Sequence, residues 1–319
     1  MRITHMLVAR RTQNYIQEAM QRLARTQEQM STGRRVLRLS DDPPALSQLL
    51  NVRAAVERNQ QYARNITDGL SYLDGADTAL GTAGELIQKA LEYAIQGANG
   101  TLEKNDMAAI GEQIDKMIDE LVDIANTTVG GKYIFAGTKN DRPPFKREVD
   151  NGVDKIYYQG NLERVSREIL DQANYPIDVP AVTLVDNNSN TLGGVFGEVQ
   201  SSNNGYEVVG GVFQILLALR NSLKAADASG VNDSIGALNT QLDHLLRYRV
   251  QVGARTSHFE SVRSQLQDQE VRLTQVLSNL EDADVARVAV DLSRQQLAYQ
   301  AALAAGAKIL ETSLLDYLR

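Results

Sequence analysis

Few residues in this 319-residue chain have the types and spacing of a catalytic or metal site. The three histidines, His5, His244 and His258, are too far apart in sequence for a zinc site. The absence of cysteine excludes disulfides, thiolate ligands and a cysteine nucleophile. Gly131-Lys132 lacks the glycine and the serine or threonine that complete a phosphate-binding loop. We therefore predict no catalytic residue, no metal site and no cofactor.

Two acidic segments could in principle bind a cation. Asp186, Asn188 and Asn190 have the alternate spacing of a calcium loop, but neither its glycine nor its bidentate glutamate is in place. We interpret this segment as a turn rich in Asx residues. The second segment, EDAD at 281–284, is predicted to place negative charge at the start of a helix, where the helix dipole favours it.

Apolar residues recur three or four positions apart over most of the chain, which predicts long helices. Ser40 and the segment 232–234 are the predicted N-caps of two of these helices, and the glycine-containing segments 97–100 and 130–131 are predicted to end two others. The predicted helices run over 40–96, 104–129, 213–228, 232–280 and 285–318.

Aromatic residues and prolines are concentrated in the middle of the chain. Nine of the 17 aromatics and four of the six prolines lie between Tyr133 and Phe213. Short runs of β-prone residues lie there too, at 132–136, 154–159, 164–169 and 181–185, separated by turn-forming residues. The sequence therefore predicts a mainly α fold with an inserted β-rich domain at about 140–208.

The two ends of the chain carry matching apolar stripes and opposite charge. Residues 1–38 have a net charge of +6 and residues 265–319 a net charge of −3, which favours their pairing as a long helical coiled coil. We predict that the stripe residues form an assembly surface. They are Ile16, Met20, Leu23, Met30, Leu292, Tyr299, Leu303, Leu310, Leu314, Leu315, Tyr317 and Leu318.

The C-terminal stripe is too apolar for one partner to cover. Between Leu297 and Leu310 only Gln300 and Lys308 are strongly polar, so the helix is apolar or alanine-lined on every side. A pair of isolated helices is marginally stable in water. Our hypothesis is that the two arms are disordered in the monomer and fold when copies of the chain assemble.

No run of 18 apolar residues is present, so we expect no membrane insertion. The N-terminus carries Arg2, Arg10 and Arg11 and leaves no room for the apolar stretch of a cleaved signal peptide. These rules predict a cytoplasmic chain, although they do not detect an export route that uses an uncleaved N-terminus. With a net charge of −7, the chain is not expected to bind nucleic acid.

Several sequence blocks, in one order, resemble the flagellar hook-associated protein 3 family, the hook–filament junction proteins related to flagellin. They include EQMSTGRRV at 28–36, SDDP at 40–43, GANGTL at 97–102, YIFAGT at 133–138, VGAR at 252–255, EDAD at 281–284, LSRQQL at 292–297 and SLLDYL at 313–318. The blocks cover both helical ends, while 145–208 offers little beyond YYQGN at 157–161.

The resemblance implies a structural protein of the bacterial flagellum, exported unfolded without signal cleavage and located outside the cell. It implies a ring of identical subunits between the other hook–filament junction protein and flagellin, and an export chaperone that holds the C-terminal arm. The implied domains are coiled-coil arms (1–40 and 283–319) lining an inner tube, a helical rod (41–140 and 209–282) and an outward-facing β-rich insert (141–208).

Three other interpretations stay open. The closest is filament flagellin, which shares both ends with the junction protein. A secreted coiled-coil effector or a cytoplasmic signalling rod would differ by having no competence to enter a polymer. An enzyme in the β-rich segment has no convergent acid, base or nucleophile to support it.

Overall fold

Six helices and nine strands make up the part of the chain that the computed structural model describes, residues 2–36, 38, 42–99, 102–150, 152–185, 193–202 and 205–317. The helices are α1 (Arg2–Thr32), α2 (Pro43–Gly97), α3 (Lys104–Ala125), α4 (Val212–Ala225), α5 (Ala228–Glu281) and α6 (Val285–Tyr317). The strands are β1 (Thr128–Val129), β2 (Lys132–Tyr133), β3 (Phe145–Asp150), β4 (Val153–Tyr158), β5 (Ser166–Leu170), β6 (Ala173–Pro176), β7 (Val182–Leu184), β8 (Gly197–Ser202) and β9 (Gly205–Val208). Long terminal helices on both sides of a β-rich insert confirm the predicted fold class.

Aspartate side chains cap helices α2, α5 and α6. At the start of α2, the backbone N–H of Ala45 donates to Asp42 Oδ1 at 3.2 Å, and proline occupies the first helical position, where it lacks only an N–H that would have no helical partner. The predicted cap Ser40 lies outside the described residues. At α6 the N–H of Arg287 donates to Asp284 Oδ1 at 3.2 Å, which confirms the predicted acidic cap for Asp284, whereas Glu281 is the last residue of α5.

Helix α5 begins earlier than the sequence predicted. Its first turn is capped by Asp227, whose Oδ1 accepts a hydrogen bond from the N–H of Ser229 at 3.1 Å. The predicted cap at 232–234 is therefore wrong, because those residues lie inside the helix and the side chains of Asn232 and Ser234 bond to carbonyls one turn back. Short polar side chains can bond to the backbone both at a helix start and inside a helix, so a polar triplet alone does not distinguish the two positions.

Helix α3 ends before the glycine pair that was expected to stop it. Its last residue is Ala125, and Gly130 and Gly131, with φ of 59° and 78°, form the turn between β1 and β2. Two consecutive positive φ angles suit a two-residue hairpin turn. Asn126, just beyond the helix, both donates to and accepts from the backbone of Phe145 at 2.9 Å, which fixes the start of β3 against the end of α3.

Contacts divide the chain into two compact units. Unit 1 comprises Met1–Gln60 with Asp268–Arg319, and unit 2 comprises Gln61–Gln267. Unit 1 has a thin core, in which α1 packs against α6 and the buried apolar side chains are few. Those described in unit 1 are Val36, Ala45, Leu49 and Val288.

Unit 2 contains the strands and a continuous hydrophobic core. Its main sheet has five strands in the order β3-β4-β9-β8-β7, antiparallel except for the parallel pair β7–β8. Buried aromatic rings fill one side of this core with centroids 5.0–5.8 Å apart, a spacing that edge-to-face and tilted rings prefer. The rings belong to Phe135, Phe145, Tyr158, Phe196 and Phe213. Strands β4, β5 and β7 confirm three of the β-prone runs, whereas in the fourth run, 132–136, only Lys132 and Tyr133 form a strand, β2. Strands β1, β3, β6, β8 and β9 were not predicted.

A charge network joins the strands of unit 2 to its helices. Arg147 on β3 donates to Asp115 on α3 at 2.6 Å and to Asp154 on β4 at 2.9 Å. Arg220 on α4 donates to the same two carboxylates, at 2.7 Å to Asp115. Burial raises the pKa of both carboxyls, but the hydrogen bonds from the two arginines outweigh it, so each pKa lies below its ordinary value.

Candidate assembly surface

Helices α1 and α6 pack antiparallel. The carbonyl of Gly33, just after α1, accepts a hydrogen bond from the N–H of Ala283, just before α6, at 2.8 Å. Farther along, Gly306 lies against the middle of α1: a Cβ there would be 3.0 Å from Ile16 Cδ1 and 3.4 Å from Thr12 Cγ2. The glycine therefore permits a close approach of the two helices that a larger side chain would oppose.

The less exposed positions of both helices follow a seven-residue repeat. On α1 they include 12, 16, 19, 23 and 26, and on α6 they include 288, 292, 295, 299, 302 and 306, so the spacing alternates between four and three. This is the spacing of a coiled-coil seam. Because Gly306 lies opposite Ile16, seven-residue steps place Tyr299 level with Leu23 and Leu292 level with Met30.

The predicted assembly residues divide between this seam and the surface beside it. Ile16, Leu23, Leu292 and Tyr299 lie on the seam and are half-buried, and Met30 takes the next seam position of α1. Met20 and Leu303 lie off the seam, 59% and 43% exposed. Leu310, Leu314, Leu315 and Tyr317 belong to α6 by their backbone, their side chains are not described, and Leu318 lies outside the described residues, as does the predicted Asx turn at 186–190.

Large apolar side chains remain exposed on both helices, most of them beside the seam. On α1, Tyr15 is 64% exposed, and on α6, Leu297 is 70% exposed. We call the exposed set the arm surface; it comprises Leu7, Val8, Tyr15, Met20 and Met30 on α1 and Val285, Val290, Leu297 and Leu303 on α6. Isolated exposed apolar residues are common on proteins, but a set along two paired helices indicates an interaction site.

A buried carboxylate holds the base of the arms together. The side chain of Glu281, the last residue of α5, is 6% exposed and accepts hydrogen bonds from Arg34 Nε and from Arg53 Nη2, the latter at 2.6 Å. Its backbone carbonyl accepts from the N–H of Arg35 at 2.7 Å. Opposite charge therefore does join the basic N-terminal arm to the C-terminal segment, at this point.

We call this arrangement the Glu281 clamp, defined by the side chains of Arg34, Arg53 and Glu281 with the backbone of 33–35 and 281–283. Beside the Gly33–Ala283 hydrogen bond, Arg34 and Asp282 form an isolated β-bridge, and Arg35 Nη2 donates to the carbonyl of Leu280 at 3.0 Å. Sequence reasoning missed the clamp because it assigned the acidic run 281–284 to helix capping. The one signal that could have indicated it is a basic cluster at 34–38 opposite an acidic cluster at 281–284.

No group of three or more histidine, aspartate or glutamate side chains suited to a metal ion occurs among the described residues. Within the same residues, no helix is long and apolar enough to cross a membrane.

Both ends of the chain match known protein families. Residues 3–140 match the bacterial flagellin N-terminal helical region and residues 233–318 match the bacterial flagellin C-terminal helical region. Flagellar hook-associated protein 3 of Escherichia coli (strain K12) is 30% identical over 286 residues, which are 86% of each chain. The flagellin of Listeria innocua is 20% identical over 303 residues, 95% of this chain and 93% of that one.

A solved structure has the same fold. The flagellar hook-associated protein 3 of Legionella pneumophila superposes with a TM-score of 0.59 at 17% identity, over 73% of this chain and 98% of that one.

Proposed function

This chain belongs to the family of flagellar hook-associated protein 3, and we propose that it joins hook to filament by assembling as a ring of identical subunits through its paired terminal helices. It is a structural component of the bacterial flagellum that acts at the hook–filament junction. The observation that carries the ring is the arm surface, which leaves large apolar side chains exposed on both α1 and α6.

The thin core of unit 1 favours assembly with further copies of the chain. Fully burying a leucine-sized side chain stabilises a structure by about 1.5–3 kcal/mol, and α1 and α6 leave much of that contribution unused when they contact only each other. Neighbouring copies would cover the arm surface and stabilise the arms at the same time. We propose that the arms fold fully only in the ring, as coupled folding and binding.

We propose the corresponding domain roles. Residues 1–40 and 283–319 form the coiled-coil inner-tube domain, 41–140 and 209–282 a helical rod domain, and 141–208 an outward-facing β-rich domain. The proposed neighbours are a further copy of this chain, the other hook–filament junction protein and flagellin. The predicted assembly residues, from Ile16 to Leu318, act in these contacts.

Before assembly, the exposed apolar face of α6 needs cover. We propose that a flagellar export chaperone binds the C-terminal arm, and that the chain leaves the cell through the flagellar export apparatus without signal cleavage. Leu297 and Leu303, exposed 70% and 43%, favour a partner that takes an amphipathic helix into an apolar groove. We propose no catalytic activity, no cofactor and no nucleic-acid partner.

The ring is tested by changing residues that are exposed in the free chain. Tyr15→Gln and Leu297→Gln should leave the fold of the isolated subunit unchanged, because neither side chain is buried in it. In cells that lack the native copy, each variant should reduce the fraction of hooks that carry a filament at least about tenfold, which is the effect of losing about 1.4 kcal/mol or more of assembly free energy.

A matched control is Val149→Gln in β3, which is 70% exposed but lies in the segment proposed to face outward. It should assemble normally. Wild-type filament numbers for both arm variants would contradict assembly through the arm surface.

The filament flagellin interpretation is separated by a deletion strain. A junction protein is needed between hook and filament, so its loss should leave bare hooks and flagellin monomers in the medium. Filaments that still grow on the hooks would contradict the junction role. Removal of residues 310–319 distinguishes a polymer subunit from a secreted effector. A polymer subunit should no longer enter the flagellum, whereas an effector would not enter it in either form.

A further inference from the structure

We propose that Glu281 is a positioning residue for assembly: its clamp on Arg34 and Arg53 sets the direction in which the paired arms leave the rest of unit 1. This inference rests on the proposed function of the arms. It assigns to one carboxylate a role that the helix seam alone does not provide.

The carboxylate of Glu281 connects three parts of unit 1. Glu281 ends α5, and its carboxylate bonds to Arg34, which follows α1, and to Arg53 in α2, so it joins the end of one helix to two other segments. The chain enters both arms at this point, through 33–36 on one side and 282–284 on the other. Any change in the clamp therefore changes where both arm helices begin.

The clamp also fixes the backbone just after α1. Gly33 has φ of +68°, and its N–H donates to the carbonyl of Gln29 at 2.9 Å, which ends α1 with a left-handed residue. The next residue, Arg34, forms the β-bridge with Asp282, and Val36, two positions further on, is buried. Glu281 fixes this reversal through both its carbonyl and its carboxylate, so that rotation of the arms about the connection is opposed at two separate points.

The clamp contributes more to geometry than to stability. The guanidinium groups of Arg34 and Arg53 belong to side chains that are 53% and 39% exposed, so water can solvate them if the carboxylate is removed. Loss of the clamp should affect the orientation of the arm surface more than the stability of the fold. Each helical residue turns the face by about 100°, so an error of one residue at the base would rotate Tyr15 and Leu297 away from a neighbouring subunit.

The test uses Glu281→Gln, which keeps the size of the side chain and removes its charge. The matched control is Glu270→Gln in the same helix, where the carboxylate accepts a solvent-exposed hydrogen bond from Gln60 Nε2 at 3.1 Å. Because the chain has no cysteine, two spin labels can be introduced in the full-length protein, at Gln27→Cys on α1, seven residues before Arg34 of the clamp, and at Gln48→Cys on α2.

We expect Glu281→Gln to broaden the distance distribution between the labels and to reduce the fraction of hooks with filaments at least about fivefold, with urea midpoint and helix content unchanged. Glu270→Gln should change none of these. Arg53→Glu and Glu281→Arg should each fail alone and recover filaments when combined, because the exchanged pair restores one bond of the clamp.

Three results would overturn the inference: normal filaments with Glu281→Gln, an unchanged distance distribution, or a loss of filaments only in proportion to a loss of helix content. The last would make the clamp merely structural. If Tyr15→Gln and Leu297→Gln also assemble normally, the proposed ring contact itself is wrong, so the two failures are distinguishable.

Discussion

Removal of Arg220 is the sharpest test of how the β-rich segment is held to the helices of unit 2. The Arg220 side chain is 10% exposed and bonds to Asp115 and Asp154, which Arg147 also holds. Arg220→Met keeps the apolar stem and removes the charge. Breaking a buried ion pair costs about 3–5 kcal/mol, but Arg147 still neutralises both carboxylates here, so we expect a loss of about 2–3 kcal/mol.

Urea unfolding measures this loss. Nine of the twelve tyrosines lie in unit 2, so near-ultraviolet circular dichroism reports its packing. With a slope of about 2 kcal/mol/M, the midpoint should fall by about 1–1.5 M. The matched control is Arg249→Met, which breaks the 3.0 Å ion pair to Asp77; those side chains are 39% and 46% exposed, so the cost should stay below about 1 kcal/mol.

The pH dependence gives the loss a signature. The folded-state pKa of Asp115 and of Asp154 is depressed, so their contribution to stability is complete above the unfolded pKa, near 3.8, and is lost as the pH falls through the lower folded pKa. The difference between wild type and Arg220→Met should therefore be constant from about pH 7 to 5 and shrink below about pH 4. Equal losses in the two arginine variants, or a loss that does not change with pH, would refute the reasoning.

Three glycine substitutions give further tests. Gly306→Ala gains about 1 kcal/mol of helix propensity, but its Cβ crowds Ile16. The substitution should therefore be more favourable by about 0.5–1 kcal/mol in an Ile16→Val background, as measured by hydrogen exchange in the arms. Zero coupling between the two substitutions would argue against the close contact. Gly194→Ala would place a Cβ 2.2 Å from the Cα of Val182, so the urea midpoint should show a loss of about 3 kcal/mol, and wild-type stability would contradict that packing. Gly236→Ala, with nothing within 4 Å, should stabilise α5 by about 1 kcal/mol.

Sequence reasoning succeeded where structure depends on neighbours in the chain. The apolar periodicity predicted α3 from Lys104 and α6 from Val285, and both begin at those residues. The seam of the arms follows from the same periodicity. Met20 and Leu303 show its limit, because spacings of three and four occur beside the seam as well as on it, and only the partner helix decides which row is covered.

Prediction from the sequence failed where the local structure depends on residues far away in the chain. Strand β8 reads GEVQSS, which has little β propensity, and it is a strand because β7 and β9 pair with its two edges. The Glu281 clamp depends on Arg53, 228 positions away. Acidic residues before a helix normally indicate a cap, and Asp284 has that role. The local sequence therefore did not distinguish Glu281 from Asp284.

The pairing of α1 with α6 has a consequence for the order in which parts of the chain fold. Unit 2 is one continuous segment, whereas unit 1 joins residues such as Arg35 and Leu280, 245 positions apart. Such distant contacts carry a high loop-closure entropy and form slowly. Unit 2 can therefore fold first and the two terminal helices pair last, which leaves their pairing to the proposed ring.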